Sequence, residues 1–231
     1  MIKIMPSIDI SNGRAVKRIK GVKGTGLVLG NPTQVAEKLF SEGYEYIHIV
    51  DLDAAEGSGD NSHIIRDITS IGFRWIQVGG GVRDLSKAQK LVDYGVTAVV
   101  ISTLFFKNRR EFNNIVNFLG NDKVIVALDY RSDGYTYVSG WKEKAKKLEE
   151  VLEEILLYPR LSILFTYVDA EGTMSGIDKE ISKYTSKIKG VKEYAGGISS
   201  YNDILFLDSI GFDYAIIGMA LYKISLGGRF D

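Results

Sequence analysis

Two aspartates and two glycine pairs carry the chemistry that can be read from this chain. Asp9 closes the apolar run of PSID, and Asp129 closes that of VALD. A carboxylate at the end of an apolar strand needs a polar surrounding. Two of them across one pocket can divide proton transfer, one taking a proton from carbon and the other giving one to oxygen. Gly79-Gly80-Gly81 follows WIQV, Gly196-Gly197 follows KEYA, and Gly218 follows YAII. Glycine lets the backbone approach an oxyanion with its N–H groups forward, and a helix start adds partial positive charge. The plainer alternatives are tight turns for the glycines and caps or ion pairs for the aspartates.

The pattern repeats. Ile76 to Phe106 aligns without gaps on Lys192 to Tyr222, placing Gly80-Gly81 on Gly196-Gly197 and Ser102 on Gly218. Asp9 and Asp129 end the first strand of each half. Paired acids with paired anion cradles point to an enzyme for a small substrate bearing a phosphate at each end. Thr166 ends another apolar run and can hydrogen-bond the reacting group. The loop from Asp169 to Thr173, with Gly172 in it, reads as a mobile substrate cover. Trp141 follows the segment Tyr135 to Val138, where a short hairpin would hold its face over the pocket to stack on a planar heterocycle. Lys17, Arg18 and Arg83 are the cations best placed to meet phosphate. Asp51 and Asp53 also end a strand, where Arg or Lys partners can claim them.

These residues need elements to hold them. Eight short runs (IKIMPSI, YIHIV, WIQV, AVVIS, VIVAL, LSILF, KEYA and YAIIG) alternate with amphipathic segments. Most are Val- and Ile-rich and apolar on both faces, as buried parallel strands are. PTQVAEKLFSEG, DLSKAQKLVDYG, EFNNIVNFLG and YNDILFLDSIG read as helices, and KEKAKKLEEVLEEILLY as the longest, with the run Lys142 to Lys147 as its solvated face. Such alternation builds a (β/α)8 TIM barrel or a doubly wound sheet, and the two-fold repeat favours the barrel. The expectation is one domain over residues 1–231, with half-barrels at about 1–120 and 121–231. After GMALY the last helix reads as curtailed. In such barrels chemistry gathers at the C-terminal strand ends, where Asp9, Asp51, Asp53, Gly79 to Gly81, Ser102, Asp129, Thr166, Gly196-Gly197 and Gly218 fall.

A formal charge of +0 and a pI near 6.8 give no reason to expect a nucleic-acid or membrane partner. No apolar run reaches the ~18 residues of a membrane span, and there is no cysteine. The chain reads as cytoplasmic and monomeric, with no cofactor and no metal. Only two histidines are present, and His48, inside YIHIV, reads as a satisfied core residue.

Taken together, PSIDISNGRAVKRIKG, HIVDLDAAEG, VGGGVRD, ALDYRSDG with SGW, EGTMSG, and AGGISSYNDI with IIGMALY resemble the barrel isomerases of histidine biosynthesis, which act on phosphoribosylformimino-5-aminoimidazole carboxamide ribotide. The related cyclase subunit of imidazole glycerol phosphate synthase typically carries Cys-Leu-Asp in the first strand, where this chain has Ser7-Ile8-Asp9. The resemblance implies a cofactor-free Amadori rearrangement of an aminoaldose to an aminoketose. It implies Asp129 as general acid at the ring oxygen, Asp9 as base at C2, and Thr166 as a positioning group. It gives one phosphate to Gly81, Ser102 and Thr103, and the other to Gly176, Gly197, Gly218 and Met219, with Trp141 on the imidazole carboxamide. A version that also isomerises phosphoribosylanthranilate would share this chemistry. Five positions depart from the family pattern. Ser102 stands for Gly, Glu171 for Asp, and Lys17 for Arg. Ile177-Asp178 stands for Pro-Asn, which puts a negative charge beside the expected phosphate.

Overall fold

The computed structural model describes residues 1–224. It has twelve strands: β1 (Lys3–Ser11), β2 (Arg14–Ile19), β3 (Val22–Gly30), β4 (Tyr46–Asp51), β5 (Trp75–Gly79), β6 (Ala98–Ile101), β7 (Val124–Tyr130), β8 (Tyr135–Val138), β9 (Glu143–Lys147), β10 (Ser162–Tyr167), β11 (Lys192–Ala195) and β12 (Tyr214–Ile217). Eight of these, β1, β4, β5, β6, β7, β10, β11 and β12, are parallel neighbours in that order. The ring closes where β12 pairs with β1, Pro6 lying beside Ile217. Helices follow the strands, and the chain is a (β/α)8 TIM barrel.

Side-chain alternation sorts each strand into two faces. Ile8, Ile10, Ile47, Ile49, Val99, Val126, Phe165 and Tyr194 belong to the large core between strands and helices. The other parity, Met5, Ala98, Val100, Ile125, Ala127, Leu164 and Ile216, forms a separate cluster that fills the barrel. Asp9 shares the parity of Met5, Asp129 that of Ile125 and Ala127, and Thr166 that of Leu164. All three therefore point inward, one layer above the apolar filling.

The inward face also holds a polar layer. Gln77 Nε2 contacts His48 Nδ1 at 3.0 Å and donates to Glu193 Oε2 at 2.6 Å. The Trp75 indole N–H donates to Gln77 Oε1. His48 is thus a satisfied interior residue, and burial, aided by the charge of Lys17, pushes it down to about 3.

Two hairpins rise from the barrel rim. β2 and β3 follow β1, and β8 and β9 follow β7. The run Glu143 to Lys147 is therefore a strand, not the start of a long helix; the helix is Leu148–Ile155. Pairing with β8 outweighs the helical propensity of its Lys and Glu. Lys144 reaches Asp133 and the Tyr135 ring, and the cationic, mostly exposed residues suit an edge strand. The final helix, Met219–Ile224, ends at the limit of the described residues. The expectation of a curtailed C-terminal wall concerns residues 225–231, which lie outside them.

Candidate active site

Asp129, next to last in β7, lies beside Thr166 of β10, the two residues being register partners. Ser102 Oγ donates to Asp129 Oδ2 at 3.3 Å. Thr166 and Trp141 also lie within hydrogen-bonding reach of the carboxylate. Burial nevertheless dominates and holds Asp129 above the usual carboxylate range. A carboxyl whose charged form is disfavoured in this way is better suited to donating a proton than a free one.

Asp9 is in a different setting. Lys17 Nζ donates to Asp9 Oδ1 at 2.9 Å and to Ser7 Oγ at 2.6 Å. Lys17 is 3% exposed and Asp9 17%, so this pair is sheltered yet open on the carboxylate side. The two aspartates thus differ in charge environment, as separate acid and base roles require.

The glycines approach backbone on their neighbours. A Cβ on Gly80 would sit 2.2 Å from Asp51 O, and one on Gly196 would sit 2.5 Å from Tyr167 O. A Cβ on Gly81 would meet Ala54 Cβ at 2.6 Å, and one on Gly197 would meet Ala170 Cβ at 2.7 Å. Gly80, Gly81, Gly196 and Gly197 all have positive φ. No side chain fits at these four positions, and each glycine pair meets equivalent partners. Beside the second pair a small cleft is lined by Ser7, Glu171, Gly172, Gly197, Gly218 and Met219, among others. Gly176 N–H donates to Gly197 O.

The loops converge over the barrel mouth. Glu171 accepts a backbone hydrogen bond from Lys20 N–H at the tip of the β2–β3 hairpin, and Gly172 packs against Arg18 O. Thr173 Oγ1 donates to Ala170 O and so braces this loop. Burial pushes the Glu171 carboxyl up to about 7, with the negative charges of Asp9 and Asp129 adding to the rise and Lys17 opposing it. The Trp141 ring covers Gly21 of the same hairpin, 2.8 Å from where a Cβ would stand. Trp141 is reached through three residues of positive φ, Ser139 (55°), Gly140 (66°) and Trp141 (66°). Ser139 N–H anchors this turn on Thr103 Oγ1. Backbone held in this region costs about 1–3 kcal/mol for a non-glycine residue, and here it turns the indole toward Asp129.

Other expected residues are engaged elsewhere. Arg18 projects from the opposite face of β2 to Lys17, reaching Glu56 and Ser11. Exposed Arg83 donates to Ala55 O. Asp51 and Asp53 are claimed by Asn61, Ser11 and backbone N–H groups rather than by Arg or Lys. They tie the β4 loop to the β1–β2 turn. Asp178 adds no charge to the glycine cleft: its carboxylate accepts from Tyr130 O–H and caps Glu180 N–H. The outward parity of Tyr130 and Tyr194 draws it into the helix layer. Two features escaped the sequence reading. Glu193 hides in a strand that reads as apolar. The β1–β2 turn is marked by Asn12-Gly13, whose positive φ values of 50° and 70° fit a type I′ turn.

Residues 3–226 match the family described as histidine biosynthesis protein. The chain belongs to that family. It is 52% identical over 228 residues to a protein of Saccharolobus solfataricus, covering 99% of this chain and 98% of that one. A protein of Methanosphaera stadtmanae is 39% identical over 95% of this chain and 94% of its own length. One of Methanocaldococcus jannaschii is 36% identical over 95% and 93%. All three are named as 1-(5-phosphoribosyl)-5-((5-phosphoribosylamino)methylideneamino)imidazole-4-carboxamide isomerases. Among the described residues, no helix is long and apolar enough to cross a membrane.

Proposed function

We infer that this chain catalyses the aldose–ketose isomerisation for which its relatives are named, in histidine biosynthesis, by general acid–base catalysis with two aspartates. The observation that carries the mechanism is the contrast between the inward carboxylates: Asp129 is half-buried with no cation paired to it among the described residues and its carboxyl is raised, whereas Asp9 is paired with an ammonium. Asp129 gives its proton to the ring oxygen as the C1–O bond breaks and the amine lone pair forms C1=N. Asp9 then takes the C2 proton, and the electron pair makes the C1=C2 enolamine. Loss of the C2 hydroxyl proton and return of a proton to C1 give the aminoketose, with no net gain or loss of atoms. Thr166, beside Asp129, holds the opened sugar.

The cleft at Gly176, Gly197, Gly218 and Met219 takes one phosphate, and Gly81 with Ser102 and Thr103 takes the other. The matched surroundings of the glycine pairs support two cradles on two half-barrels. Trp141 leaves the Gly21 surface to stack on the imidazole carboxamide, and the Glu171–Thr173 loop covers the sugar. Arg18 and Arg83 act through the loops they brace. The enzyme works as a monomer, without metal or cofactor.

The test is to incubate purified protein with the aminoaldose bisphosphate, without ammonia or added metal, and to follow formation of the aminoketose by mass-neutral chromatography. Its appearance supports the isomerase. No product, together with consumption of the aminoketose once ammonia is added, would replace this reading with a cyclase.

A further inference from the structure

Lys17 is placed unlike a simple phosphate-binding cation. It is almost wholly buried, at 3% exposure. Two of its N–H groups are spent on the protein, on Asp9 Oδ1 and Ser7 Oγ. Its ammonium also lies against the second glycine cradle, where a Cβ on Gly218 would meet Lys17 Nζ at 3.2 Å and Ser7 Oγ at 3.0 Å. An ammonium has three donors, so one remains beside Gly218. Among the described residues Asp9 Oδ2 has no donor, which leaves it to the substrate. Glu171 faces the same ammonium closely enough for their charges to interact, and His48 lies near it.

We propose that Lys17 is a positioning residue that anchors the catalytic base and the cradle phosphate on one ammonium, so that phosphate binding sets C2 in register with Asp9. This rests on the reading of Asp9 as the base and of Gly197–Gly218 as a phosphate cradle. A fixed phosphate then fixes the sugar carbons relative to Asp9 Oδ2, because base and phosphate share a tether that burial prevents from moving. Orientation of this kind is where remote binding contributes to rate rather than to affinity alone. A cation that only binds phosphate would change KM and leave kcat intact.

The experiment uses the full-length enzyme, the aminoaldose bisphosphate, and its two monophosphate forms, each lacking one phosphate, with inorganic phosphite as the probe for the vacated cradle. In wild type, phosphite raises kcat/KM for one monophosphate form by at least about tenfold. Lys17→Met, which keeps the apolar stem, loses that activation and lowers kcat on the bisphosphate by about a hundredfold. Phosphite still competes with the bisphosphate in this variant, because the glycine N–H groups remain. Lys17→Arg restores part of both kcat and the phosphite activation, and guards against a Met variant that fails to fold. The inference is overturned if Lys17→Met raises KM with kcat unchanged, or keeps phosphite activation, or if Lys17→Arg folds but rescues neither. Asp9→Asn separates the two layers of the argument. Wild-type turnover in Asp9→Asn removes the base assignment itself, whereas an inactive Asp9→Asn beside an unaffected Lys17→Met removes the tether alone.

Discussion

Glu193→Gln should stabilise this protein, with a gain that depends on pH. Glu193 is 1% exposed inside the barrel, with Gln77 Nε2 donating to it. Burial pushes its carboxyl from 4.5 up to about 7; the Gln77 bond opposes the rise and the charge of Asp213 adds to it. At roughly 1.4 kcal/mol for each tenfold, ionising Glu193 in the folded state costs about 3 kcal/mol. The folded value lies above the unfolded one, so the penalty is absent below 4.5, grows between 4.5 and 7, and is complete above 7. Glutamine keeps the shape and an acceptor for Gln77 while carrying no charge. Denaturant unfolding at about pH 8 should then show a gain of about 3 kcal/mol, seen in a melt as a rise of roughly 6–12 °C for a chain of this size. At about pH 4 the two proteins should unfold alike. An equal gain at both pH values, or a loss at pH 8, would refute the reasoning and show Glu193 to be held by its bonds rather than penalised by its charge.

Three further outcomes follow from the site. Trp141→Phe removes a hydrogen bond that pulls the Asp129 value down, so the alkaline limb of the kcat/KM profile should move to higher pH. A limb that stays or moves down would detach Trp141 from Asp129. Glu171→Gln should stabilise in the same sense as Glu193→Gln, across 4.5 to about 7, but by only about 1–2 kcal/mol because Glu171 reaches solvent; chemical denaturation at the two ends of that range checks it. Gly197→Ala forces a Cβ to 2.0 Å from Gly176 O at φ +78°, whereas a Cβ on Gly176 meets nothing within 4 Å at φ +98°. The first should cost about 2–4 kcal/mol and raise KM, and the second about 1–2 kcal/mol. Melting curves of equal depth for the two would show that the close approach is not real.

The barrel was legible because most of the barrel strands are apolar on both faces and bounded by glycine or polar punctuation. The site was legible because Asp9, Asp129 and Thr166 interrupt that apolarity at the strand ends. What the sequence hid was decided by tertiary contact. Lys142 to Lys147 has good helix formers, and only pairing with Tyr135 to Val138 makes a strand of it. Asp178 looked like a charge at the phosphate cleft until the outward phenols of Tyr130 and Tyr194 captured its loop. The β1–β2 and β2–β3 turns were available in Asn12-Gly13 and Lys20-Gly21, each pair with positive φ at both residues, but two turn dipeptides among many glycines do not announce a strand pair. Glu193 gave no signal, since one acid in a four-residue strand shows its face only when the register is known.

The most direct test of the two-aspartate account is kcat for Asp9→Asn and Asp129→Asn at saturating aminoaldose bisphosphate, with the Kd of each variant measured by calorimetry. Each substitution keeps the shape of the side chain and removes its proton chemistry. The account expects kcat to fall by about 100-fold to 10,000-fold in both variants, with Kd within about threefold of wild type. Turnover within about threefold of wild type in either variant would contradict it.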